Sequence, residues 1–298
     1  MGKLRGLIKG DISRVFGSST FILAVIATSL IMLTGSIGVY SDNTRYNVFQ
    51  LVADNSREEI RELGCQAIDA VYRGSSSYLW MFAPVLAGMP LIPLLCAERK
   101  NRAMRYELVR VTKKKFAIGK MISALISGGF VISFGYLIYA IVVYVLIPDK
   151  GSAGELADMQ ILCESGPKGL WDAIKVLGYP GIIVLKMIMM FLFGAISSIP
   201  AYLLSSFITN KYIVLCIPFI INYMSSMAIM RLMSTPLFYE HSNVFTKAVS
   251  SLMPEMATSI CQQETDRMLI FAGVWTVIIV LSVIFYIVIE EKRCDCGQ

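Results

Sequence analysis

Six long apolar runs, each free of Asp, Glu and His, constrain this chain more than any other feature. They cover residues 20–40, 78–96, 121–147, 181–209, 212–233 and 269–289. A bilayer core about 30 Å thick is crossed by roughly 20 apolar residues in a helix, so each run is long enough to span it. Barrel strands would be about half that length and would alternate polar with apolar residues. Only a helix satisfies its own backbone along such a run. The expected fold is therefore all-α, a polytopic membrane protein of six transmembrane helices forming a single domain over residues 1–298. Composition agrees: 16% of residues are charged, against roughly 25% in an ordinary soluble domain.

Six spans leave both termini on one side. Sixteen of the 27 Lys and Arg lie in residues 1–19, in 97–120, at Lys211 and at Lys292 and Arg293, whereas 15 of the 21 acids lie in the other loops. Loops rich in Lys and Arg stay in the cytoplasm, so both termini are expected there, with the chain a multi-pass protein of a bacterial plasma membrane. The +6 net charge is then a basic inner face offset by a mildly acidic outer one. That balance points to anionic lipid and a cytoplasmic protein partner, not to nucleic acid.

Ahead of the first run, Leu4, Leu7, Ile8, Ile12 and Val15 recur at near-helical spacing with Lys3, Arg5, Lys9 and Arg14 between them. This suits an amphipathic helix lying in the inner interface over 1–19; the bland alternative is a solvated leader. The first run is too long for a cleaved signal and reads as a retained span.

Several function classes lose support from what the runs lack. The lack of intramembrane carboxylates and histidine disfavours a proton-driven mechanism. Lys186 and Arg231 lie near the outer ends of their runs, where snorkelling is expected, while Asn222 is mid-run and must find a hydrogen-bond partner. The only histidine, His241, is in an outer loop, and no metalloprotease or serine-hydrolase motif is present. The stretch "KKKFAIGKM" imitates a phosphate loop, but Lys114 stands where its first glycine belongs and Met121 where Ser or Thr belongs. The chain is not expected to be an enzyme or to hold a cofactor or metal. Cys65, Cys163 and Cys261 fall outside and could form one disulfide, with no pair favoured by spacing. Cys294 and Cys296 are too few for a closed metal site.

The segment "AERKNRAMRYELVRVTKKKFAIGK", residues 97–120, holds nine basic residues between two spans. On a helical reading Met104, Leu108 and Val111 form an apolar stripe flanked by Arg102, Arg105 and Arg110. Fixing orientation needs only the charge; the stripe suggests a surface shaped for another protein. A solvated basic loop is the alternative.

This arrangement resembles the membrane subunit of a type 2 ABC transporter. That family has an interfacial N-terminal helix, six spans, and a first inner loop running from an acidic residue, here Glu98 followed by Arg99, to a Gly-Lys pair, here Gly119 and Lys120. Residues 243–259 around Pro254 match in outline its re-entrant helices between spans five and six. Arg102 stands where the family commonly has glycine. The resemblance implies that loop 97–120 is a coupling helix seated on a separate ATPase subunit that binds ATP and Mg2+. It also implies that a second permease subunit, identical or paralogous, completes a pathway lined by spans two and five. Pro84, Pro90, Pro93 and Pro218 interrupt those spans, and Asn222, Met224 and Met227 lie on span five. A thioether wall suits hydrophobic or amphipathic cargo, and lipid-facing packing explains the methionines as well. Export is the family's commoner direction. A stand-alone channel or carrier, or a membrane scaffold or sensor, is the competing class.

Overall fold

A computed structural model of the chain describes residues 2–39, 45–62, 67–74, 78–101, 111–147, 168–235, 244–263 and 265–295. It is mostly helical. Among the described residues, five helical segments are long and apolar enough to cross a membrane: Leu79–Lys100, Lys113–Leu146, Pro180–Ser205, Lys211–Met233 and Thr265–Ile289. A bent pair, Leu4–Phe16 with Ser19–Leu33, makes a sixth if read as one span.

Helix α1 (Gly2–Phe16) meets α2 (Ser19–Leu33) at 64°. The bend falls at Gly17-Ser18, where the Ser18 hydroxyl accepts the Phe21 amide and caps α2. The first apolar run differs from its expected extent. Helix α2 stops at Leu33, and Ser36–Val39 (β1) pairs antiparallel with Arg45–Asn47 (β2). The cause is local: "TGSIGVY" sets two glycines among β-branched residues, a poor helix and a good strand. By itself α2 rises about 22 Å, short of a bilayer core. This small hairpin departs from the all-helical expectation.

Beyond the hairpin lie α3 (Val48–Asp54), α4 (Arg57–Glu62) and α5 (Ala67–Gly74). Asn47 and Gln50 form a reciprocal capping box on α3. The second run is two helices, α6 (Leu79–Gly88) and α7 (Ile92–Lys100). Pro90 lies in the break between them, and Pro93 sits in the first turn of α7, where a missing N–H costs nothing.

Helix α8 (Lys113–Leu146) begins well before Met121, because a lysine run ends an apolar stretch without breaking a helix. Helix α9 (Lys168–Ser205) likewise begins before residue 181, and α10 (Lys211–Met233) follows a short link capped by Asn210. Then come α11 (Val244–Ser250), a 3-10 helix (Pro254–Gln262) and α12 (Thr265–Asp295).

Helix α8 is the centre of the bundle, packed on α1, α2, α6 and α9. Its seam with α9 is built from small residues. A Cβ added at Gly194 would collide with the Gly128 carbonyl oxygen, and one at Gly128 would lie 2.8 Å from Ser198 Cβ. Such close backbone approach is how helices associate where lipid offers no hydrophobic gain. One end of the bundle carries the basic segments; the hairpin lies at the other.

Candidate functional site

The loop singled out by its charge begins where α7 ends and returns at the start of α8. Its middle, with Arg102, Met104, Arg105, Leu108 and Arg110, lies outside the described residues. Its two stems are well defined. Glu98 is in the last turn of α7 and Lys120 is in the second turn of α8. Lys120 Nζ lies 2.9 Å from Glu98 Oε2 and 2.9 Å from Asp11 Oδ1 of α1. Glu98 Oε1 in turn accepts Arg14 Nη1 of α1 at 3.1 Å. The Lys120 side chain has 0% exposure and Asp11 3%, while Arg14 keeps 60% and reaches solvent. Desolvating charges is costly unless opposite charges meet in good geometry, and here one ammonium bridges two carboxylates from separate helices.

Gly119 explains how α1 reaches this cluster. A Cβ there would lie 2.6 Å from Leu7 Cδ2 and 3.1 Å from Leu4 Cδ1, so the bare glycine face admits the apolar side of α1. The expected Gly-Lys pair thus has two functions in the packing: the glycine makes room for α1 and the lysine bonds it. Helix α1 is docked on the bundle and is more than a leader lying beside it.

Arg99, next to Glu98, donates its guanidinium to the carbonyl of Ser205, the last residue of α9. This satisfies one of the carbonyls a helix end leaves open and ties α7 to α9. Tyr202 adds two links at the same end, its hydroxyl donating to Ala117 O of α8 at 2.9 Å and its ring stacking on Tyr286 of α12 at 4.6 Å. Val111 is buried within the chain, while Met104 and Leu108, the other members of the expected stripe, lie outside the described residues.

The expected pathway residues separate into three groups. Pro84, inside α6, and Asn222, on α10, come together. Proline has no amide hydrogen, so Pro84 cannot bond the carbonyl of Trp80 one turn earlier; Asn222 Nδ2 donates to that oxygen at 2.8 Å. Trp80 stacks on Tyr223 and Phe82 packs on Phe219 along the same seam. Pro90, Pro93 and Pro218 shape the backbone, Pro90 and Pro218 being buried. Met224 and Met227 point away from this seam and are exposed.

Lys186 corrects a second expectation. It does not snorkel: it is buried, donates to Thr258 O at 2.8 Å and lies 4.0 Å over the Tyr72 ring. Arg231 is exposed at the end of α10. Among the described residues no three His, Cys, Asp or Glu side chains gather as metal ligands.

Asp11, Arg14 and Ser205 were not among the residues expected from sequence. Asp11 left a signal: four residues after Leu7 and four before Val15, it falls on the apolar side of α1, where an acid must be paired. No family model matches the chain, and no curated protein and no solved structure matches it.

Proposed function

We propose that the chain is the membrane subunit of an ATP-driven transporter of the type 2 ABC kind. One observation carries this reading: both stems of the basic loop are bonded inside the bundle, to each other through Glu98 and Lys120 and to α1 through Asp11 and Arg14. A loop that only fixed orientation would need charge in solvent, not two buried stems. Force applied to the loop enters α7 and α8 directly, and Arg99 passes it to α9. The loop is the coupling element for a separate cytoplasmic ATPase subunit that binds ATP and Mg2+, and the chain has no nucleotide chemistry of its own.

A second permease subunit covers α10. The most apolar stretches of α10 and α12 are only 22% and 17% buried, against 50–61% for the other three single segments. Their uncovered faces are both largely apolar, and that of α10 adds methionines and Ser225. That of α12 is lipid-like, with Leu269, Val277, Val280, Leu281, Ile284 and Phe285 exposed. That of α10 exposes Ile213, Ile220 and Ile221 together with Met224, Ser225, Met227 and Arg231, and its methionines and Ser225 suit a protein partner and a pathway for hydrophobic or amphipathic cargo. Export is the direction proposed, from a bacterial plasma membrane whose lipid surrounds α12.

Purification of the tagged chain in mild detergent tests the reading. A stoichiometric ATPase subunit is expected, and Leu108→Asp is expected to abolish its binding while leaving membrane insertion intact. Solute flux through the chain reconstituted alone, with no ATPase recovered beside it, would replace this reading with a channel or carrier.

A further inference from the structure

The segment between α10 and α12 is fastened to the rest of the molecule in two different ways. On one side it meets α12. The chain runs directly from it into α12, Trp275 Nε1 donates to Ser251 O at 2.9 Å, and Arg267 Nη1 donates to Gln263 Oε1 at 3.1 Å. On the other side it rests against α9, burying Met253, Ala257 and Thr258. Helix α9 is locked to α8 through Gly128 and Gly194, and α5 joins that unit because Tyr139 of α8 donates to Ala70 O at 2.7 Å.

Helix α12, into which this segment leads, packs on both α8 and α9. At the basic end α9 and α12 touch through the stacked rings of Tyr202 and Tyr286. Toward the hairpin end, the buried Lys186 ammonium of α9 holds the Thr258 carbonyl of the 3-10 helix while lying on the Tyr72 ring of α5. The stack is a broad apolar contact that tolerates rotation. The lysine contact is directional, and separating it inside the bundle strips an ammonium of an acceptor.

We propose that Lys186 is a latch that fastens the 3-10 segment to α9, and that this segment lifts from α9 when the latch opens. Lys186 positions the segment, and Tyr72 holds Lys186 in place from the far side. A short helix, with a small cleft lined by Ser250, Ser251, Met256 and Phe271 on its α12 side, is thereby held against α9 toward the hairpin end. This reading goes beyond the proposed transport role and does not require an ATPase partner.

Hydrogen–deuterium exchange of the full chain in lipid nanodiscs tests it. Lys186→Met keeps the side chain's length and apolar stem but removes the donors. Amides of residues 254–262 are expected to exchange roughly ten- to hundredfold faster, the range for losing a charge-assisted hydrogen bond, with amides around Gly128 and Gly194 unchanged. Tyr72→Phe keeps the ring and is expected to match the parent. Unaltered exchange at 254–262 in Lys186→Met overturns the latch, and so does equal acceleration throughout α8 and α9. If Lys186→Met does not insert, Tyr72→Ala decides. At least about threefold faster exchange confined to 254–262 is then expected, and parent-like exchange there overturns the proposal.

Discussion

Replacing Asn222 with leucine tests whether the asparagine is present on α10 because of the proline on α6. In the parent, Nδ2 of Asn222 bonds the Trp80 carbonyl at 2.8 Å, an oxygen that Pro84 leaves without its helical donor. Asn222→Leu preserves shape and strands that oxygen in apolar surroundings, a loss of about 1–2 kcal/mol. Pro84→Ala restores an amide hydrogen one turn beyond Trp80, so the helix can satisfy the oxygen itself. In Pro84→Ala/Asn222→Leu the carbonyl has a donor again and the buried side-chain amide has gone. The double variant is therefore expected to recover at least about 1 kcal/mol of the single loss, well beyond the roughly 0.3–0.5 kcal/mol scatter of independent sites. Denaturation in mild detergent, followed by intrinsic fluorescence to which Trp80 itself contributes, gives all four corners of the cycle. Additive effects would refute the link between proline and asparagine and return Asn222 to ordinary packing.

Three further outcomes follow from the same structure. Lys120→Met removes the buried ammonium that Asp11 and Glu98 share and is expected to cost about 3–5 kcal/mol; Asp11→Asn/Glu98→Gln/Lys120→Met, which removes the charges together, is expected to be more stable than Lys120→Met alone in the same denaturation assay. At the α8–α9 seam, Gly194→Val drives a side chain into the Gly128 backbone and is expected to lower the melting temperature sharply, whereas Gly273→Ala on α12, with nothing within 4 Å, is expected to leave it within a degree or so. Burial raises the Glu255 carboxyl above its ordinary value of 4.5. The folded segment therefore favours the protonated acid, and its stability is greatest below that ordinary value and falls as pH rises through the raised one. Exchange at residues 254–262, corrected for intrinsic rate, is expected to accelerate across that window in the parent and to stay flat in Glu255→Gln.

Much of the architecture was legible from residue patterns because lipid imposes a blunt rule on helices. Uninterrupted apolar length marked the spans, and the need of Asn222 for a partner followed from its depth alone. The first run misled because length was counted across Gly35 and Gly38, where local propensity turns the chain into β1. Lys186 misled for a different reason. Proximity to a run's end permits snorkelling, but Thr258 and Tyr72, distant in sequence, reach the ammonium first. At the candidate site, Glu98, Gly119 and Lys120 could be picked out only through the resemblance of the loop's two ends to those of a known family. Their bonding to one another depends on how α1, α7 and α8 converge, which one sequence does not reveal. Only the spacing of Asp11 among leucine, isoleucine and valine hinted at that convergence.

The order of charges on the basic end has one more consequence. Along Asp11, Lys120, Glu98 and Arg14 the signs alternate, and the first and last both belong to α1, one helical turn apart. Opening the central contact leaves Lys120 beside Asp11 and Glu98 beside Arg14, so neither ion is abandoned in the protein interior. Helices α7 and α8 can part there at the expense of a single attraction, with α1 keeping hold of both.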